Sequence, residues 1–156
     1  MNNTVLVCLS PSPSNIEVIQ SAYQSLHKND KLIAIYVSNH KQCLKEFEQR
    51  QLEKNMELVK QFNADVEIIY SDDTVNQIIQ YANLYKVKKI VVGKTINKKR
   101  WSLKHSLSEQ ILEQAHNFEV LVVPTKAKTK IPKINLQEKM NTHGSFEVNP
   151  IFWTLK

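Results

Sequence analysis

The chain has 156 residues, of which 42% are hydrophobic, as in a single globular domain with a sizeable core. It contains no apolar run of about 18 residues, the length that a transmembrane helix needs, and no signal-peptide pattern at its start. Its two cysteines, Cys8 and Cys43, are too few for a disulfide framework, so we expect buried thiols in a reducing cytoplasm.

The net charge of +6 is distributed unevenly along the chain. No Asp or Glu occurs from residue 74 to residue 108. Because a solvated surface usually mixes both signs of charge, this window predicts a local positive field and an anionic partner; an ordinary solvated surface is the alternative. The basic residues of the window are Lys86, Lys88, Lys89, Lys94, Lys98, Lys99, Arg100 and Lys104.

Five β-branched runs alternate with longer helical patterns along the chain. The runs cover residues 4–9, 31–37, 66–70, 89–93 and 118–123. Most of them are continuously apolar, which is typical of strands in a parallel sheet that is covered on both faces.

The first two helical patterns lie between the first three predicted strands. Ser14 and Glu17 have the spacing of a capping box, with an apolar face behind them. A looser apolar stripe over residues 40–63 predicts the second helix.

The last two helical patterns also begin at capping residues. Asp72 and Asp73 suit the positive N-terminus of the third helix, and Ser106 and Glu109 form a second capping box before the fourth. The strict alternation predicts an α/β domain with a doubly wound parallel sheet, helices on both faces and right-handed connections.

The helical and strand patterns stop after Pro124. We therefore divide the chain into a domain at residues 1–124 and a polar, basic linker or tail at residues 125–156. The last part of the tail, "FEVNPIFWTLK", is aromatic enough to dock on another surface.

The loop after the first strand, "SPSPS" at residues 10–14, is the first candidate for ligand binding. In open α/β sheets, ligands bind beyond the carboxyl ends of the strands, where the strand order reverses. Ser14 is assigned to the helix cap, whereas Ser10 and Ser12 have no such duty. The prolines between them would hold the loop rigid, at a low entropic cost to a ligand.

The loop after the fourth strand contains "GKT", the last three letters of a P-loop. The pattern differs from a true P-loop because Lys88 stands where the first glycine belongs and no helix follows for about ten residues. A glycine that ends a strand still lets backbone approach a ligand, and a helix N-terminus at Ser106 favours phosphate. The candidate residues of this loop are Gly93, Lys94, Thr95, Arg100, Trp101, which offers a stacking face for a base, and Ser106.

Catalytic and metal sites are not predicted. His40 and Cys43 are three residues apart in a stretch predicted to be helical, but no second pair completes a zinc site. The basic window contains no carboxylate that could act as a base or bind magnesium. The sequence therefore predicts a non-catalytic, ligand-binding domain without a metal or cofactor.

The alternating pattern, the glycine at the end of the fourth strand and the serine that opens the last helix resemble the universal stress protein fold. "VCLSPSPSN" at residues 7–15 and "VVGK…RW…SL" at residues 91–107 resemble, more narrowly, the universal stress protein domain of KdpD-type sensor histidine kinases. The resemblance covers roughly residues 4–124 and implies a five-stranded sheet of order 3-2-1-4-5. It also implies a cytoplasmic domain of a membrane-anchored two-component kinase that regulates potassium uptake, with the rest of the kinase and a second copy of the chain as partners.

The resemblance also bears on the ligand. ATP-binding universal stress proteins carry an Asp near the end of strand one and three motif glycines. Here that Asp is absent, and Ile96 and His105 replace the second and third glycines, so we do not expect ordinary ATP binding.

The KdpD-type domains of Gram-positive bacteria bind cyclic di-AMP and pair a Ser-x-Ser loop with an aromatic-Thr-Ala-x-Tyr strand. The serines at 10, 12 and 14 would supply the loop, and Ala34 and Tyr36 keep part of the strand pattern, whereas Leu32 and Ile33 replace the aromatic residue and the threonine. A cyclic dinucleotide has two singly charged phosphates and no triphosphate tail, which suits basic residues without acids.

The sequence thus predicts a sensory domain that binds cyclic di-AMP. The alternatives are a homodimeric universal stress protein that binds ATP or AMP, and a module that docks on a protein or membrane surface without a small ligand; no specific nucleic-acid binding is expected. The predicted ligand-binding residues are Ser10, Ser12, Ala34, Tyr36, Gly93, Lys94, Thr95, Arg100, Trp101 and Ser106.

Overall fold

A computed structural model describes residues 2–96 and 105–126, with the side chains of residues 95, 96 and 126 excepted. In these residues, strands and helices alternate strictly, as predicted. The elements are β1 (Thr4–Cys8), α1 (Asn15–Gln24), β2 (Lys31–Ser38), α2 (Glu46–Gln61), β3 (Asp65–Tyr70), α3 (Thr74–Leu84), β4 (Lys89–Ile96), α4 (Leu107–Glu113) and β5 (Glu119–Lys126).

The five strands form one parallel sheet of order β3-β2-β1-β4-β5, which confirms the predicted order. In the centre, Val7 of β1 pairs with Ala34 of β2 on one side and with Val91 of β4 on the other. The chain runs outward from β1 to β3 and then returns to place β4 beside β1. The strand order therefore reverses between β1 and β4, where this class of fold leaves a crevice for a ligand.

The two faces of the sheet bury separate cores because successive side chains of a strand point to opposite faces. Beneath α1 and α2 the core includes Val7, Val18 and Val59, all fully buried or nearly so. Beneath α3 and α4 it includes Leu6 and Ile111. Burial on both faces explains why the strand sequences are continuously apolar.

The predicted capping boxes have different outcomes. Ser106 accepts a hydrogen bond from the N–H of Glu109, and the Glu109 side chain accepts one from the N–H of Ser106, so this box is confirmed. Asp73 accepts from the N–H of Asn76 and caps α3. The box at Ser14 is wrong, because the Ser14 side chain makes no capping bond and instead lies 2.8 Å from the hydroxyl of Ser12.

The elements that differ in extent from their predictions include α2 and β4. α2 begins at Glu46 rather than near residue 40, so the exposed Cys43 and its neighbour His40 lie in the connection before it. The prediction of two buried thiols is therefore right for Cys8 and wrong for Cys43. β4 continues to Ile96, past the glycine expected to end it, because β5 pairs with it along its whole length.

The division of the chain at residue 124 stays a prediction: β5 runs to Lys126, and residues 127–156 lie outside the described ranges. Within the described ranges, no helix combines the length and the apolar character needed to cross a membrane.

Candidate ligand-binding site

A cavity of about 160 Å³ lies in the crevice between β1 and β4. The loop after β1 lines one side of it with Ser10, Ser12 and Ser14, and Gly93 of β4 lines the other. Leu107, the first residue of α4, also contributes to the wall. The serine loop after β1 and Gly93 of β4, which the sequence singled out separately, thus meet at one cavity.

The serine loop, residues 10–14, is ordered by its own side chains. The Ser12 hydroxyl lies 2.8 Å from the Ser14 hydroxyl and accepts a bond from the N–H of Ser14 at 3.3 Å. Ser12 therefore has a structural role within the loop, which the sequence analysis did not assign to it. The Ser10 hydroxyl has no hydrogen-bond partner among residues 2–96 and 105–126, so it is free to bond to a ligand.

Two buried asparagines, which the sequence analysis missed, anchor the same loop. Asn15 accepts from the N–H of Ser10 at 3.2 Å and donates to the carbonyl of Cys8 at 3.1 Å. Asn55 of α2 donates to the carbonyls of Ser10 and Ser12 at 2.8 and 3.0 Å. An amide in the apolar stripe of a helix was the available signal for Asn55, because buried polar groups need partners.

Gly93 has a packing role that is visible without any ligand. A Cβ atom added at this position would lie 2.8 Å from Cγ2 of Val18 and 3.5 Å from Cγ2 of Thr125. The glycine therefore lets α1 approach β4 closely at the floor of the cavity. Gly93 was selected from the sequence because a glycine lets a ligand approach the main chain closely. The absence of a side chain at Gly93 can serve that purpose as well as the packing of α1.

The charge of Lys94, which follows Gly93 in β4, is partly neutralised. Nζ of Lys94 lies 2.8 Å from Oε1 of Glu109, and both side chains are partly exposed. The hydrogen bond from Lys94, together with the N–H of Ser106, lowers the pKa of Glu109 below its usual value. Glu109 lies one residue beyond the acid-free window, so the pairing could not be read from the window itself.

The start of α4 offers less to a phosphate than the sequence suggested. The helix has only seven residues, and the N–H groups of Ser106 and Glu109 are already bonded within the capping box. His105 is also engaged, since its Nδ1 lies 3.3 Å from Oε1 of Glu113.

The four lysines of the basic window that the structure describes are divided between the two ends of the sheet. Lys94 lies at the carboxyl end of β4, beside the cavity, whereas Lys89 begins the same strand and pairs with Glu119 at 3.8 Å. At about 3.3 Å per strand residue, these two lysines are about 17 Å apart along the chain. Lys86 and Lys88 line a different, open cavity at the amino end. The window is therefore not a single basic patch.

Ala34 and Tyr36 do not line the cavity. Ala34 is fully buried in the core beneath α1 and α2. Tyr36 packs against the edge of that core, and burial raises the pKa of its hydroxyl. The structure thus brings Ser10, Ser12 and Gly93 together, with Lys94 and Ser106 beside them. The side chain of Thr95, together with Arg100 and Trp101, lies outside the described residues.

The described residues that line the cavity suit an uncharged group. None of them is charged, and burial raises the pKa of the Cys8 thiol at the floor to about 12, so that it stays protonated. Hydroxyls and main-chain groups can bond a base or a sugar, and the apolar floor of Val18 and Val92 can contact a ring.

The comparisons with known proteins agree with this fold. No family model matches the chain. A solved universal stress protein in complex with cAMP has a TM-score of 0.60 and 19% identity, and the match covers 78% of this chain and 96% of that protein. This likeness establishes the class: the chain has the universal stress protein fold.

The sequence comparison gives the narrower resemblance. The sensor protein KdpD of Clostridium acetobutylicum is 25% identical over an alignment of 149 residues, and the match covers 88% of this chain and 16% of that protein. A KdpD sensor protein of Synechocystis sp. is 27% identical over 104 residues, which are 66% of this chain and 28% of that protein. The resemblance to the universal stress protein domain of KdpD-type sensors is therefore confirmed, and the chain spans less than a third of either relative.

Proposed function

We propose that this chain is a cytoplasmic, non-catalytic sensory domain that binds cyclic di-AMP and regulates a two-component sensor kinase of potassium homeostasis. The similarity to KdpD sensor proteins supports the kinase context. The relative with cAMP bound supports an adenine nucleotide as the ligand class. The remaining domains of the kinase would correspond to the parts of the KdpD proteins that this chain does not match.

The observation that carries the proposal is the uncharged serine-lined cavity, beside which the described part of the chain places Lys94, partly neutralised by Glu109. A triphosphate carries several negative charges and needs a strongly positive cradle or a magnesium ion. A cyclic dinucleotide carries one charge on each phosphate and asks less of the protein. Lys94 paired with Glu109 suits the second ligand better than the first.

The size of the cavity sets how much of the ligand it can hold. Sites for whole drug-sized ligands span roughly 300–1,000 Å³. A cavity of about 160 Å³ holds one base or ribose of the dinucleotide and leaves the other half outside. Because cyclic di-AMP is two-fold symmetric, a homodimer could hold its second half in the partner's equivalent cavity.

Calorimetric titration of the 156-residue chain with cyclic di-AMP tests the proposal. We expect micromolar or tighter binding that ATP with magnesium does not displace. Ser10→Ala should weaken binding about tenfold, because a hydrogen bond to the ligand is lost while Ser10 makes no other side-chain bond in the described structure. Ser21→Ala, on α1 but away from the cavity, is the matched control and should bind like the wild type.

The titration also distinguishes the rivals. A stoichiometry of one ligand per two chains would indicate a shared site in a homodimer. Magnesium-dependent ATP binding would favour an ATP- or AMP-binding stress protein, a reading supported by the cAMP complex of the relative. If neither cyclic di-AMP nor ATP gives heat on titration, both nucleotide-binding hypotheses are contradicted. Steeply salt-dependent binding to a protein or vesicle would then favour a docking module.

A further inference from the structure

Asn55 places a fully buried amide in the apolar interface between α2 and the sheet. Its neighbours on the same helix include Leu52, Leu58 and Val59, all of them buried. A buried amide is costly unless its polar atoms are hydrogen-bonded, and an apolar side chain would fill the same space without that requirement. The bonds that Asn55 makes therefore indicate its role.

The donors of the Asn55 amide are directed to the serine loop. Nδ2 lies 2.8 Å from the main-chain oxygen of Ser10 and 3.0 Å from that of Ser12. Oδ1 accepts from Nε2 of Gln51, one turn earlier on the helix, at 3.0 Å. No polar atom of the amide is left without a partner. The contacts join segments that are 45 and 43 residues apart in the chain.

These bonds begin where the bonds of the sheet end. The N–H of Leu9 donates to the carbonyl of Ile35 at 2.8 Å, and the main chain then leaves the sheet. At Ser10 the side chain of Asn15 accepts a hydrogen bond from the main-chain N–H, and the side chain of Asn55 donates one to the main-chain carbonyl. Together with the two prolines, which restrict φ, these contacts keep the loop in one conformation before a ligand arrives.

We propose that Asn55 is the positioning residue of the ligand site and that it makes α2 the element that responds to occupancy of the cavity. The inference rests on the proposed function for the identity of the ligand, and it adds a route by which binding is felt elsewhere in the chain. A ligand that bonds to Ser10 adds a contact to the loop, and the loop is hydrogen-bonded to α2 through Asn55.

The test compares two variants of the whole 156-residue chain. Asn55→Leu removes both donors and keeps a similar side-chain volume. Val59→Ala, also buried on α2 but without a bond to the serine loop, is the control for a general loss of stability. The first measurement is amide hydrogen exchange of Ser10 and Ser14 without ligand. We expect these amides to exchange about tenfold faster in Asn55→Leu than in Val59→Ala.

The second measurement is the dissociation constant for cyclic di-AMP and the exchange of α2 amides upon binding. We expect Asn55→Leu to weaken binding about tenfold and to abolish the slowing of exchange in α2, whereas Val59→Ala should bind within about twofold of the wild type. Equal loop exchange in the two variants would overturn the proposal. If the wild type binds no cyclic di-AMP, the proposed function fails, and the ligand-free exchange still decides whether Asn55 positions the loop.

Asn55→Asp serves if the leucine variant does not fold. A buried carboxyl group has a raised pKa and is protonated near neutral pH, so it keeps the shape of the amide and one of its donors. Loop exchange, corrected for the intrinsic effect of pH, should lie between wild type and Asn55→Leu and should rise as the carboxyl group ionises. Wild-type protection of Ser10 at every pH would overturn the proposal.

Discussion

Gly93→Ala is the substitution whose effect can be worked out most directly from the structure. The added Cβ would lie 2.8 Å from Cγ2 of Val18, about 0.6 Å closer than the shortest ordinary contact of 3.4 Å. Val18 is buried on α1, so it cannot turn into solvent, and the helix must shift instead. Gly93 itself lies in extended strand backbone that alanine adopts readily, so the clash and not the backbone sets the cost.

The expected cost follows from two opposing terms. Overpacking of a well-packed core costs about 1–3 kcal/mol. Replacing a glycine reduces the freedom of the unfolded chain and returns about 0.4–1 kcal/mol. We therefore expect Gly93→Ala to lower the free energy of unfolding by about 1–2 kcal/mol.

A double-mutant cycle isolates the clash. Val18→Ala removes the methyl group that the new Cβ would meet, at a cost of about 2 kcal/mol for the lost packing. In that background Gly93→Ala should be neutral or slightly stabilising, so the two changes should couple by at least about 1 kcal/mol.

Urea unfolding followed by circular dichroism measures all four proteins, with unchanged m-values as the check that the unfolding transition is comparable. The packing role assigned to Gly93 would be refuted if Gly93→Ala alone were as stable as the wild type. It would also be refuted if the losses of unfolding free energy from the two substitutions were strictly additive.

The remaining predictions concern the cysteines and one buried carboxylate. In the native chain a disulfide reagent should label Cys43 quickly and Cys8 only after unfolding, because Cys8 is buried with its pKa raised to about 12; equal labelling rates would contradict the fold around β1. The N–H groups of His27 and Asn3 hold the pKa of Asp30 below its usual 3.8. Asp30 therefore stabilises the fold above that pH, and its contribution is lost as the pH falls through the lowered pKa. Asp30→Asn should be less stable than the wild type at neutral pH, and the difference in unfolding free energy should narrow as the pH falls below 3.8; a difference independent of pH would show that the charge has no part in it.

Much of the fold could be predicted because its determinants are local. Apolar runs, their spacing and the capping residues Asp73 and Ser106 act within a few neighbouring positions, and each produced the element expected from it. The misassigned cap at Ser14 shows the limit of local pattern. The Ser14 hydroxyl could have bonded to the first turn of α1 or to Ser12. In the proline-containing loop it lies next to the hydroxyl of Ser12 and makes no bond to the helix.

The candidate site could be predicted only in part, for a reason that particular residues make clear. The sequence indicated Ser10, Ser12 and Gly93, because loops that follow strands meet at the carboxyl edge of a parallel sheet. It did not indicate that Lys94 would be neutralised, because Glu109 becomes its neighbour only when α4 packs beside β4. The acid-free window is a fact of the sequence, but the direction of β4 carries Lys89 and Lys94 to opposite ends of the sheet.

The sequence by itself determined the class of fold, the alternation of its elements and the position of the serine loop at the carboxyl edge of the sheet, since these depend on periodicity and on the rules of parallel sheets. Only the tertiary structure decided that Asn55 holds the serine loop, that Val18 demands a glycine at position 93 and that Cys43 is exposed. The first two are contacts between residues far apart in the chain, which exist only after the helices have packed on the sheet.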